Sequence, residues 1–139
     1  MLLDTNILSE LMRPRPFPAV MEWLDTQPVD QLFTSAVTLA EIELGIALLP
    51  EGRRKADLYF AARKMFTEFT DRCLPFNDLA AQQYGQLVAA RIAIGRPISV
   101  EDAQIAAIAI AHKLPVVTRN IKDFNSIDHL KLINPWELS

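Results

Sequence analysis

Met1-Leu2-Leu3-Asp4-Thr5-Asn6 opens the chain and holds the key to its architecture. Three apolar residues ending on an acid predict a short buried strand that starts with the first residue. A short helix is expected from about Asn6 to Met12. Arg13-Pro14-Arg15-Pro16-Phe17-Pro18 ends it, because prolines lack donors and turn their predecessors away from helix. Pro18 suits the first turn of the next helix, with Val20, Trp23 and Leu24 on one face.

The same alternation recurs along the rest of the chain. Leu32-Phe33-Thr34, Arg72-Cys73-Leu74 and Val116-Val117-Thr118 read as strands, and Leu130 to Ile133 as a weaker one. Between them, Thr38 is expected to open a helix running to about Leu49, stopped by Pro50-Glu51-Gly52. Arg53 to Thr70 reads as a longer amphipathic helix, and Asp78 as the cap of a helix running towards Gly95. Ser99 to His112 is nearly all apolar, hence a helix buried on most sides. Strands alternating with helices predict an α/β fold, a central parallel sheet of about four to five short strands flanked by helices. At 139 residues, one domain spanning 1–139 is the expectation.

Composition narrows the function classes. Half the residues are hydrophobic and 22% are charged, a balance that excludes intrinsic disorder. A single cysteine, Cys73, excludes a disulfide framework or a Cys-rich zinc module, and is read as a small buried hydrophobe. The net charge of −3 excludes a nucleic-acid binder that relies on a whole-surface positive field. The longest apolar run, Ile105 to Ala111, falls well short of the ~20 residues of a membrane span. No leader pattern is visible, so a cytoplasmic, reducing location is expected.

In parallel α/β sheets ligands bind beyond the carboxyl ends of the strands, which directs attention to the residues just past each strand. Asp4 ends the first strand, and Glu41 lies early in the helix after the second. Asp102 lies in the first turn of the buried helix, and Asn120 and Asp123 come after Thr118. Carboxylates gathered at one edge repel each other unless a cation neutralises them. Oxygen donors without supporting His or Cys suit magnesium or manganese rather than zinc. Each acid also has a structural role open to it. Thr38 to Glu41 and Ser99 to Asp102 fit the capping box, Asp4 fits a cap for the first helix, and Asp123 fits a solvated turn.

Other chemistries are poorly supplied. His112 and His129 have no partner arrangement for metal-free acid–base catalysis. No GxGxxG and no Walker lysine loop is present. A haloacid-dehalogenase-like phosphatase needs a second acid where Asn6 stands. Arg53-Arg54-Lys55, Arg13, Arg15, Arg91 and Arg96 are the candidate phosphate contacts.

Together these stretches resemble the PIN-domain family, specifically VapC/FitB-type toxins of bacterial toxin–antitoxin pairs. The opening through Glu10 is similar to the family's first motif, and Ser35 to Glu41 with Leu44-Gly45 to its second. Arg96-Pro97-Ile98 leading to Asp102 through Ala107 resembles the third, and Thr118-Arg119-Asn120 with Asp123-Phe124 the fourth. Asn134-Pro135-Trp136 resembles a common ending. The resemblance implies a magnesium-dependent endoribonuclease, with manganese as a substitute ion, working as a homodimer held in check by a cognate antitoxin. It implies Asp4 and Asp102 as principal metal ligands with Glu41 acting directly or through water, and Asp123 or Asn120 in the fourth acid's place. Thr5, Asn6, Thr118 and Asn120 fall where the family holds the site or the RNA substrate by hydrogen bonds. The alternative is a PIN-like interaction or RNA-binding module without catalysis.

Overall fold

The computed structural model describes residues 1–138. Five strands of two residues each run parallel: β1 (Leu2–Leu3), β2 (Thr34–Ser35), β3 (Cys73–Leu74), β4 (Val116–Val117) and β5 (Leu132–Ile133). β1, β4 and β5 form one sheet and β2 and β3 another. A parallel bridge between Leu2 and Phe33 joins the two. Leu3 N donates to Phe33 O at 2.8 Å and Phe33 N to Met1 O at 2.9 Å, which closes the ribbon in the order β3-β2-β1-β4-β5. Leu2 pairs with Val116 and Leu3 with Val117, so the alternation of side chains sends each pair to an opposite face.

That alternation produces two apolar layers. Leu2 and Val116 pack against α5 (Asp78–Ala93) and α6 (Val100–Ala111). Ala103 and every residue from Ile105 to Ala109 are buried, as expected of a helix with almost no polar face. Leu3 and Val117 pack on the other side against α1 (Thr5–Leu11), α2 (Pro18–Asp25), α3 (Ala36–Ala47) and α4 (Arg53–Glu68). A four-residue helix, α7 (Ile121–Phe124), comes after β4 and inserts the buried Phe124. Of the aromatic residues of α4, Phe66 packs on the core while Tyr59 and Phe60 face outward, Phe60 at 70% exposure.

The caps correct two expectations. Helix α3 begins at Ala36, not Thr38: Ser35 is the N-cap, and its Oγ accepts from Thr38 N at 3.1 Å. Helix α5 is capped by Asn77 rather than Asp78, through Oδ1 and Ala80 N at 3.0 Å. In both, the residue whose side-chain oxygen meets the amide three positions on takes the cap, and Thr38 and Asp78 lie inside their helices. Cys73 is half-buried rather than enclosed. Helix α6 starts as expected, with Ser99 Oγ accepting from Asp102 N at 3.2 Å. Ser99→Ala should lower stability by about 1 kcal/mol in urea unfolding, the usual cost of a lost N-cap. An unchanged midpoint would show that another group caps α6.

Candidate active site

Every strand points its carboxyl end to one edge, and α6, which runs back to feed β4, starts at that same edge. Asp4 stands one residue beyond β1, where its N–H still bonds to Val117 O at 2.9 Å. Its side chain is 4% exposed. Thr5 N donates to Oδ1 at 2.8 Å; Thr118 Oγ1 and Asn6 Nδ2 donate to Oδ2 at 2.8 and 3.2 Å. These bonds favour the carboxylate, yet burial outweighs them and pushes its pKa up to about 6, with the charges of Asp102 and Glu41 adding to the rise. A carboxylate offers about four lone-pair positions, and these contacts use three, leaving one on Oδ1.

Glu41 lies in the second turn of α3, too far from Ser35 to serve the cap. Thr5 Oγ1 donates to Glu41 Oε1 at 2.8 Å and so ties it to the residue after Asp4. Burial raises its pKa, against the Thr5 bond, and Asp102 and Glu101 raise it further. Asp102 gives its backbone N–H to the Ser99 cap while its side chain lines the same cavity as Asp4. Burial raises its pKa too, opposed by the Ser99 hydroxyl and reinforced by Asp123 and Glu101. Asp4, Glu41 and Asp102 line one cavity of about 500 Å³, together with Thr5, Asn6 and Asn120.

Asn6 and Thr118 serve the site from behind. Thr118 is fully buried; its hydroxyl donates to Asp4 and accepts from Asn120 N at 2.9 Å. Asn6 Oδ1 accepts from Arg119 N at 3.2 Å, pinning the turn after β4 to α1. Asp123 is exposed on α7 and does not line the cavity, although its charge acts on Asp102. Asn120 does line it.

The candidate cations divide. Arg13 borders the acidic cavity, whereas Arg53 and Arg54 line a neighbouring, mostly apolar groove of about 920 Å³ between α1, α3 and α4. That groove is larger but shares only Thr5, Ser9, Arg13 and Glu41 with the acidic cavity, and only the smaller one brings Asp4, Glu41 and Asp102 together. Arg91 is 4% exposed and is no phosphate contact. Its guanidinium donates to the carbonyls of Arg96, Asp123 and Asn125 at 2.7, 3.1 and 2.9 Å, and so locks α7 to α5. Arg96 reaches Ser126 Oγ at 3.2 Å.

Glu10, Arg119 and Trp136 also border the acidic cavity and are not among the site residues expected from sequence. For Glu10 a signal exists: Asn6 and Glu10 stand four apart on α1, which places them on one face.

The donor set fits a hard divalent cation. Among the described residues no three His, Cys, Asp or Glu side chains close into a ready-made metal cage. Magnesium does not ask for one, since it keeps several waters and is held through one or two carboxylates. All the donors here are oxygen, and burial and neighbouring acids disfavour the charged form of each of the three acids, which a bound cation would relieve.

Residues 1–130 match the model of the PIN domain. The chain is 38% identical over 138 residues to the VapC ribonuclease Y4jK of Sinorhizobium fredii, covering 97% of this chain and 96% of that one. It is 38% identical over 136 residues to Toxin FitB of Neisseria gonorrhoeae, covering 97% of each. The crystal structure of FitAcB from Neisseria gonorrhoeae superposes with a TM-score of 0.90 at 38% identity, covering 99% of both chains. The chain belongs to the PIN-domain family.

Proposed function

We propose that the chain is the toxin of a toxin–antitoxin pair, a magnesium-dependent endoribonuclease that hydrolyses RNA phosphodiesters. One observation carries this reading: Asp4, Glu41 and Asp102, from three separate elements, line one cavity in which each carboxylate is disfavoured as an anion. Such an arrangement costs stability and is accounted for by a cation. Full-length relatives named a ribonuclease and a toxin support the same reading.

Asp4 and Asp102 would hold the ion, with Glu41 beside them. When bound, magnesium lowers the pKa of a water and neutralises charge gathering on the scissile phosphate. The chain's own residues supply the rest. Thr118, Asn6 and Thr5 N fix the rotamer of Asp4, and the Thr5 hydroxyl fixes Glu41. Arg13, at the cavity's edge, offers a cation to the phosphate backbone. In-line attack of water leaves a 5′-phosphate and a 3′-hydroxyl, and no base needs to deprotonate the ribose 2′-hydroxyl. A cognate antitoxin silences the site by setting an arginine against the carboxylates, and the working toxin is a homodimer.

The test is a map of RNA 5′-phosphate ends across the transcriptome after induction without antitoxin. Wild type is expected to create new, sharply placed ends, and Asp4→Asn none. Identical maps in both strains would remove the catalytic claim and leave an interaction module.

A further inference from the structure

A second cavity, of about 450 Å³, adjoins the acidic one and shares Glu10, Arg13, Arg119 and Trp136 with it. A ligand that fills both must pass those residues. The Arg119 guanidinium lies over the Trp136 ring, 5.1 Å from its centroid. Both partners are anchored: Arg119 N donates to Asn6 Oδ1 at 3.2 Å, and Trp136 N to Asn134 Oδ1 at 3.0 Å. The Trp136 ring also packs on the core, so the pair is a fixed flat platform at the cavity wall.

Glu10 supplies the polar element. It is a carboxylate at 5% exposure, and its α1 backbone holds it beside the platform. Phe17 N donates to Oε2 at 3.0 Å, and Arg13 Nη1 reaches Oε1 and Oε2 at 3.3 and 3.4 Å. These contacts use three of about four lone-pair positions, so one acceptor position on Oε1 is left for a ligand donor.

We propose that Trp136, Arg119 and Glu10 form a nucleobase subsite beside the scissile phosphate, one that selects bases carrying an amino group. The inference rests on the ribonuclease reading and adds a specificity element to it. Unpaired bases stack on aromatic rings and on arginine planes. A glutamate accepts from the exocyclic amine of cytosine, whereas uracil presents a carbonyl oxygen at the same place, which the carboxylate repels. Arg13, largely exposed at the mouth of both cavities, takes the intervening phosphate.

The experiment reads binding, so that cleavage is not needed. Trp23 and Trp136 are the only tryptophans. Trp23→Phe therefore makes Trp136 the sole reporter, and Asp102→Asn is added so that RNA is not consumed. Titration with hexacytidylate is expected to quench Trp136 saturably and to show roughly tenfold tighter binding than hexauridylate, with labelled RNA giving the same ratio by anisotropy. Glu10→Gln should bring that ratio close to one while hexauridylate still binds. Trp136→Ala should weaken both by about tenfold, as loss of a stacked base does, and Trp136→Phe should restore most of it. An unquenched Trp136, or a ratio that Glu10→Gln leaves untouched, overturns the subsite. Selective binding without new 5′ ends in cells would instead keep the subsite and discard the ribonuclease. New ends without selective binding would do the reverse.

Discussion

Purified Asp102→Asn is expected to fold normally and to lose RNA cleavage in magnesium by about a thousandfold. The substitution keeps the shape of the side chain and the cap of α6, because the bond to Ser99 Oγ comes from the backbone N–H of residue 102. What it removes is a negative charge at a cavity already shaped by Asp4 and Glu41. Cation stabilisation of a phosphoryl displacement is worth several kcal/mol, and each ~1.4 kcal/mol is a factor of ten in rate. Folding should not suffer, since the lost charge was repelling Asp4 and Glu41. The measurement pairs a gel assay on a defined RNA with a thermal melt and a magnesium titration. A variant that cuts at the wild-type rate would remove Asp102 from the site. One that binds magnesium as wild type does would favour the interaction-module reading.

Legibility in the sequence tracks the range of the interactions involved. The strand ending at Asp4 and the buried helix from Ser99 are set by runs of apolar residues, and both stand within a residue or two of where those runs place them. Glu41 shows the opposite case. Its capping-box spacing from Thr38 is a coincidence of register, because Ser35, three residues earlier, takes the cap. Only the contact with Thr5, across 36 residues of chain, shows what holds it. Arg91 reads as a phosphate contact because nothing nearby in sequence needs its charge. Its acceptors at Asp123 and Asn125 arrive from beyond β4. Glu10 is half legible: its spacing from Asn6 puts it on the same face of α1, but its anchoring partner Phe17 lies past a proline-rich turn, where helical spacing says nothing. Local patterns place the elements, whereas the tertiary contacts decide which polar residues meet.

In the metal-free protein, stability should rise as pH falls from about 7 towards 4, and magnesium should reverse that trend. Asp4 is the main source. Its pKa moves from 3.8 to about 6 on folding, so the folded state binds the proton more tightly than the unfolded chain does. The favourable contribution is fully present below 3.8 and is lost as pH rises through about 6. Roughly two pKa units correspond to about 3 kcal/mol. Glu41 and Asp102 shift in the same direction and add to the slope. Magnesium binds the deprotonated site, so its stabilising increment should be large above pH 6 and fade below it. Thermal melts from pH 5 to 8, in chelator and in magnesium, separate the two terms. Asp4→Asn should flatten the chelator curve and remove most of the magnesium increment, because the titrating carboxyl and the proposed ligand are the same atoms. A magnesium increment equal at both ends of the range would mean that the ion stabilises the fold somewhere else. A chelator slope as steep in Asp4→Asn as in wild type would mean that the main titrating group lies elsewhere, since Glu41 and Asp102 alone should leave only a smaller slope.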